Sequence, residues 1–446
     1  MGVLPVKRLI VTMSMPMMAS MMVQALYNVV DSIFVSRISE NALTAVTLAF
    51  PLQNLMIAVG AGTGVGINAL LSRSLGEKKF DRSDGAANQG LFLTALSYFV
   101  FLFVGLFLAR PFIMTQTADP EIIQLGATYL SIVNMLSVGV FFQMTFERLL
   151  QSTGRTFYSM ISQATGAIIN IIFDPILIFG LFGLPAFGVA GAAYATVLGQ
   201  VTASILGLIM NRKYNSDINL SIKEVLNIRP DIIREIYFVG VPSILMMSIG
   251  SLMTYFMNRI LIVFSTTAAA VFGAYFKLQS FFFMPVFGLN NGVIPILAYN
   301  YGAKKRERIH ETLVFSIFLA VTIMTIGTAI FELLPDKLLS FFNASPEMLK
   351  IGIPALRIMG IIFPFAGASI LMGSIFQAFS ESIYSLIISV ARQLVILVPA
   401  AYLLSLTGVV SNVWWSFPIA EGVSFTLSLI FCRFLLKKKE RELSAP

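Results

Sequence analysis

The sequence predicts an all-α polytopic membrane protein, about 12 transmembrane helices in two six-helix lobes related by an internal pseudo-two-fold repeat. Three observations carry this expectation: the scarcity of charge, the recurrence of apolar stretches along the whole chain, and a gapless self-match at one offset. Of 446 residues, 57% are hydrophobic and 12% charged, against roughly 25% charged in a soluble domain. So few ionic groups cannot coat a water-facing surface of this length, so lipid is the expected solvent.

Apolar runs long enough to cross a bilayer, about 20 residues each, fall near 10–35, 43–71, 86–108, 124–151, 159–180, 186–210, 234–263, 269–298, 311–333, 349–377, 384–405 and 409–435. They leave no room for a separate soluble domain. The first run contains Tyr27, Asn28 and Asp31 and is followed by no small-residue cleavage pattern, so it reads as a retained span and not as a cleaved signal.

A shift of 226 residues superposes Phe50, Leu52, Gln53, Gly62, Gly66, Gly76, Lys78 and Lys79 on Phe276, Leu278, Gln279, Gly288, Gly292, Gly302, Lys304 and Lys305. The same shift brings Gln151, Tyr158 and Ser159 onto Gln377, Tyr384 and Ser385. An even number of helices per repeat gives both halves one orientation, with the substrate site expected near the midplane at the repeat interface. The expected division is 1–210 for the first lobe, 211–233 for a cytoplasmic linker with a short interfacial helix, 234–436 for the second lobe and 437–446 for a cytoplasmic tail.

The net charge of +8 is distributed as membrane topology and not as a nucleic-acid surface. Basic residues gather at Lys7 and Arg8, at Arg73 to Arg82, at Arg212 to Arg234, at Lys304 to Arg308 and at Lys437 to Lys439. These are alternate loops. The positive-inside rule makes them cytoplasmic, which puts both termini inside. Cys432 and His310 are single instances of their kinds, so internal disulfides and Cys/His metal clusters are excluded. His310 sits among basic residues and reads as solvated.

Ionisable groups inside the spans differ between the halves. Asp31 lies in the first span and Asp174 in the fifth, and both read as deep, where a carboxylate costs about 2.5–3.5 kcal/mol. At the repeat offset Asn170 and Asp174 become Ile396 and Ala400, and Asp31 falls near Met257 or Asn258. Asn170 and Asp174 stand four apart and share a helix face; Tyr27 and Asn28 add polar groups before Asp31. Pro175 should kink the fifth helix and free the Ile171 carbonyl. Carboxylate, amide and carbonyl oxygens suit a hard cation such as Na⁺, or one carboxyl carries a proton beside its neighbour; a polar knot between helices is the purely structural alternative. In the second half Lys277, Arg392 and Glu421 fall within spans. Snorkelling accounts for Arg392, while Lys277 and Glu421, with Gln53 and Gln279, are expected to line the substrate cavity, the first two partly neutralising each other.

The run Gly60 to Gly66 lacks the Gly-Lys-Ser/Thr of a nucleotide loop and sits in an apolar span. Gly60 with Gly64, and Gly62 with Gly66, read instead as small-residue contacts that let helices approach closely, and Gly188 and Gly191 likewise.

Tyr27-Asn28-Val29-Val30-Asp31-Ser32-Ile33-Phe34-Val35, Asn170-Ile171-Ile172-Phe173-Asp174-Pro175, Gly188-Val189-Ala190-Gly191-Ala192-Ala193 and Pro295-Ile296-Leu297-Ala298-Tyr299-Asn300-Tyr301-Gly302 resemble the multidrug and toxic compound extrusion (MATE) transporters. The likeness covers essentially the whole chain and is nearest to the bacterial DinF-like and MepA-like branches. It implies multidrug efflux by H⁺- or Na⁺-coupled antiport of small organic cations or amphipathic drugs across the cytoplasmic membrane. It also implies a secondary transporter and not an enzyme, without a cofactor, acting as a monomer in the lipid bilayer. By the same resemblance Asp31, Asn170 and Asp174, with Thr196 matching a sixth-helix threonine, form the coupling site. Flipping of a lipid-linked precursor is the alternative within the superfamily, and an intramembrane enzyme or a passive channel the alternative outside it.

Overall fold

The structure, a computed structural model, describes residues 2–342 and 344–444, and every regular element among them is helical. Ten helices are long and apolar enough to cross a membrane, and two bent pairs bring the number to twelve among the described residues. Spans 1 to 6 are Val6–Ser36, Glu40–Gly76, Phe80–Met114, the pair Pro120–Met135 and Val138–Ser152, Thr156–Phe179 and Val189–Tyr214. Spans 7 to 12 are Pro230–Ile262, Thr266–Gly302, Arg306–Leu333, the pair Pro346–Gly360 and Phe363–Ala378, Ile383–Ser405 and Val410–Lys439. Each expected apolar run therefore has its helix.

The repeat is written into the backbone as well as the side chains. Span 4 bends by 46° after Met135 and span 10 by 47° after Gly360, one residue from the 226 offset. Ser39 and Ser265 cap spans 2 and 8 by accepting from the amides of Ala42 and Ala268, which satisfies donors that a helix start leaves orphaned. Lys78 and Lys304 both adopt positive φ in the following turns, 58° and 55°. Pro16 and Pro242 stand at matching places inside spans 1 and 7.

By compactness the chain divides differently from the repeat. Residues up to Met18 belong with those from Leu245 onward, and Ala19–Ile244 form the other unit. The physical reason lies in the paired glycines. In the unit 19–244, a Cβ on Gly62 would lie 2.5 Å from Ile244 Cγ1 and 3.0 Å from the Gly240 carbonyl, and one on Gly66 would strike the Ile236 carbonyl. Span 2 thus takes the first half of span 7 in backbone contact. In the other unit a Cβ on Gly288 would lie 2.6 Å from Met18 Cα and one on Gly292 2.9 Å from Ser14 Cα, so span 8 takes the first half of span 1. Of the expected small-residue contacts, Gly60, Gly62, Gly64, Gly66 and Gly191 all meet neighbours. Gly188 differs: it has φ 56°, open space around it and the N-cap position of span 6, so it serves the turn.

Segment 211–233 contains the short helix Ile222–Leu226 and is stitched to span 3. The Asn88 amide donates to the Asn219 carbonyl and accepts from Ser221 N–H. Gln89 donates to the carbonyls of Glu224 and Asn227 and accepts from Arg229 N–H. His310 is exposed in the first turn of span 9.

These contacts predict the response to added methyl groups. Gly66→Ala and Gly292→Ala should each cost about 1–3 kcal/mol or more by overpacking, whereas Gly273→Ala, with nothing within 4 Å of its Cβ, should be neutral or stabilising by up to about 1 kcal/mol of helix propensity. Thermal unfolding of the detergent-purified variants checks the ranking.

Candidate functional site

Spans 5 and 6 approach as closely as two helices can. A Cβ on Gly199 would lie 2.5 Å from the Gly166 carbonyl and 3.2 Å from Asn170 Cβ, and one on Gly191 would strike the Leu177 carbonyl. This approach brings Asn170 onto Thr196. With its amide oriented to satisfy both neighbours, Asn170 Nδ2 donates to Asp174 Oδ2 at 3.2 Å while its oxygen accepts from Thr196 N–H at 3.0 Å and from the Thr196 hydroxyl at 3.3 Å. Asp174 is fully buried and Asn170 and Thr196 nearly so. The amide therefore fixes one carboxylate oxygen and leaves the other free.

Span 1 supplies the second carboxyl. Asp31 and Asp174 face each other as side-chain hydrogen-bonding partners, and Oδ1 of each is buried with no partner. Two carboxyl groups in such contact need a proton or a metal cation between them, because like charges at this range cannot both stand bare. The donor set is carboxylate, amide and hydroxyl oxygen, with the Ile171 carbonyl freed by Pro175, and it fits either a proton or a hard cation. Among the described residues no group of three His, Cys, Asp or Glu side chains is placed to hold a metal ion.

Tyr27 lies within electrostatic range of both carboxyls, whereas Asn28 is exposed on span 1. Pro175 stands inside the continuous helix Thr156–Phe179. Depth also differs from expectation. Asp31 stands five residues before the end of span 1 at Ser36, and Asp174 five before the end of span 5 at Phe179. Both therefore lie in the third of the bundle away from the basic loops, not at its centre.

Tyr129 of span 4 is a site residue that sequence reasoning missed. It is buried, hydrogen-bonds the side chain of Gln53, and lies in electrostatic range of Asp31, Asp174 and Tyr27. Gln53 is thus tied to Tyr129 beside this site. The signal was present in the repeat, where Tyr129 matches Ala355: a polar group in one half with an apolar partner in the other marks the same asymmetry as the aspartates.

The other unit holds a different arrangement on the corresponding helices, 11 and 12. Arg392 Nη1 meets Glu421 Oε2 at 3.1 Å, so Glu421 is neutralised by Arg392 and not by Lys277. Arg392 is not snorkelling to an interface; it opens a π-helical segment, Ala391–Leu397, whose wider turn re-aims side chains. Lys277 is exposed without an ion pair among the described residues, and Gln279 is half-buried on the same span. Both belong to the unit that does not contain Asp31 and Asp174.

The MatE family profile matches residues 16–176 and again 242–403, two segments that begin 226 residues apart. The chain belongs to the MatE family of transporters. Among its relatives, the multidrug export protein MepA of Staphylococcus haemolyticus (strain JCSC1435) is 25% identical over 93% of this chain and 91% of that protein. MepA of Staphylococcus aureus (strain MRSA252) is 25% identical over 98% and 95%. A solved multidrug-resistance MATE family transporter in an outward-facing conformation aligns with a TM-score of 0.93 at 26% identity, over 98% of this chain and 97% of the other. A MOP superfamily transporter from Pyrococcus furiosus, described as having a binding pocket of reversed polarity, aligns at 0.91 and 25% over the same shares. This MatE chain is a transporter, built from two repeats with its contacting carboxyl pair in one of them.

The two polar centres should respond oppositely to neutralisation. At alkaline pH without sodium, Asp174→Asn relieves the repulsion with Asp31 and should raise the unfolding temperature by about 2 °C or more. Glu421→Gln leaves Arg392 without its counter-charge and should lower it, while Lys277→Gln changes little. Thermal unfolding of the three purified variants beside the wild type checks the signs.

Proposed function

We propose that this transporter expels small organic cations or amphipathic drugs by antiport, with the Asp31–Asp174 pair as the site where the coupling cation binds. Support comes from one observation above all: two membrane carboxyls in contact, each with a free buried oxygen, and, among the described residues, no basic residue paired with either. Asp31, Asn170, Asp174 and Thr196 hold the cation, with Tyr27, Pro175, Gln53 and Tyr129 around it. A net negative, incompletely satisfied site attracts both H⁺ or Na⁺ and a cationic drug, and it cannot hold both charges with full affinity. Exchange follows from that competition. The names of the relatives, multidrug export proteins, agree with such a substrate class.

The same reading puts the protein in the cytoplasmic membrane as a monomer, its basic loops and both termini inside. Because span ends and not span centres carry the aspartates, the site then lies toward the external face. Flipping of a lipid-linked precursor would call for free cationic groups to bind pyrophosphate. Arg392 is engaged with Glu421, which leaves Lys277 alone for that task and favours antiport.

A cation can shift the protein between two states only by its differential affinity for them, and linkage makes the effect of cation on substrate equal to that of substrate on cation. Lowering pH, or raising sodium, should therefore weaken binding of a fluorescent organic cation to the purified wild type by about 5–150-fold. Asp174→Asn should show a flat dependence. Equilibrium titrations across pH and sodium check this, and a wild-type affinity independent of both contradicts antiport at this site.

A further inference from the structure

Among the described residues, one buried carboxylate outside the coupling site has no cationic partner. Glu147, on span 4, is 7% exposed, accepts a 2.9 Å hydrogen bond from Gln143 Nε2 and forms no ion pair among the described residues. Its neighbour Arg148 turns elsewhere, packing beneath Gly64 and donating to Gln151. Glu421, the comparable acid of the other unit, has Arg392 at hand. Nor does the repeat fold require an acid here, since Glu147 and Gln143 match Gly373 and Ser369.

The neighbours of span 4 fix which way Glu147 points. Met144 and Arg148 meet Gly60 and Gly64 of span 2, Thr145 meets Thr94 of span 3, and Phe146 meets Gly207 of span 6. The remaining side carries Gln143, Glu147 and Gln151 at helical spacing, and there Gln151 donates to Ser159 of span 5. Span 5 continues along one face through Gln163 to Asn170 and Asp174, and Gln163 donates to Gln24 of span 1 at 2.5 Å. Span 1 places Ser20, Gln24, Tyr27 and Asp31 at steps of four, three and four, again one face. Ser20 Oγ and Gln163 Oε1, on these faces of spans 1 and 5, are buried without partners among the described residues, the kind of groups that internal water satisfies.

We propose that Glu147 is the inner proton station of the transport cycle and that the coupling ion is a proton. This rests on the assignment of Asp31 and Asp174 as the coupling site. Glu147 stands five residues before the end of its span at Ser152 and the aspartates five before the opposite ends, a separation of about 20 Å at 1.5 Å per residue. A proton crosses this distance through water held by hydroxyls and amides. The O–H bond at the aspartate pair breaks, the proton passes along the water, and an O–H bond forms on the Glu147 carboxylate. Release to the cytoplasm restores the Glu147 anion and leaves the pair one charge more negative, ready for a cationic substrate. A sodium ion would need several oxygen ligands at each stop, and Glu147 with one amide supplies too few. The charged group acting on Glu147 is Arg148; the surfaces of spans 2, 3, 5 and 6 that meet span 4 near it present Gly60, Gly64, Thr94, Ser159 and Gly207.

The test uses purified full-length protein in liposomes with ethidium as substrate. Under an imposed pH gradient Glu147→Gln should lose tenfold or more of the transport rate, yet bind ethidium with wild-type affinity and wild-type pH dependence; Glu147→Asp should recover most of the rate. Gln143→Leu, which removes the Gln143 hydrogen-bond donor to Glu147, should displace the pH profile of transport, and it serves if Glu147→Gln does not fold. Wild-type transport by Glu147→Gln, an unmoved profile in Gln143→Leu, or wild-type transport driven by sodium alone without proton movement would each overturn the proposal. Asp174→Asn is measured alongside: if its ethidium binding keeps the wild-type pH dependence, the coupling-site assignment fails, independently of Glu147.

Discussion

Two carboxyl groups pressed together inside a lipid-embedded bundle are the constraint on which the rest of this structure depends. At 4 Å two bare charges repel by about 4 kcal/mol at an effective dielectric of 20, so the Asp31–Asp174 contact persists only with positive charge shared between them. The surrounding architecture holds the pair together despite that repulsion. Gly166, Gly191 and Gly199 let spans 5 and 6 touch backbone to backbone, which delivers Asn170 between Asp174 and Thr196. Tyr129, tied to Gln53, flanks the pair from span 4. A site so held cannot relax its repulsion by drifting apart, and cation binding becomes the available relief.

The second unit shows what the same helices do when the cation is built in. Arg392 and Glu421 stand on spans 11 and 12, the repeat counterparts of spans 5 and 6, and neutralise one another. Duplication thus produced one centre with two carboxyls in contact and one with its counter-charge built in. The paired glycines of spans 2 and 8 were kept in both halves, because both halves need the same close crossing by spans 1 and 7. Packing follows the repeat and chemistry departs from it.

Most of the architecture was legible in the sequence because hydrophobic length and a 226-residue offset are properties of the chain itself. Asp31, Asn170 and Asp174 were legible for a related reason: polar groups in lipid are costly, so each one stands out against its apolar repeat partner. What escaped depends on direction and depth. Which residue neutralises Glu421 is decided by the π-helical turn at Arg392, which no spacing rule reveals. The placement of the aspartates near span ends escaped because spans 1 and 5 extend beyond the apolar cores that hydropathy marks. The compact units cut across the lobe boundaries because Ser14 to Met18 and Ile236 to Ile244 pack against glycines of the opposite repeat, a contact no local pattern records.

The central claim is that substrate and coupling cation exchange at the Asp31–Asp174 pair. Its most direct test is the stoichiometry of proton release when a saturating organic cation is added to the purified wild-type protein in weakly buffered, sodium-free solution. The account predicts release of about one proton per protein molecule for a pair that shares one proton, and none from Asp174→Asn. Equal release from the wild type and Asp174→Asn, or no release from the wild type while the substrate binds, would contradict it.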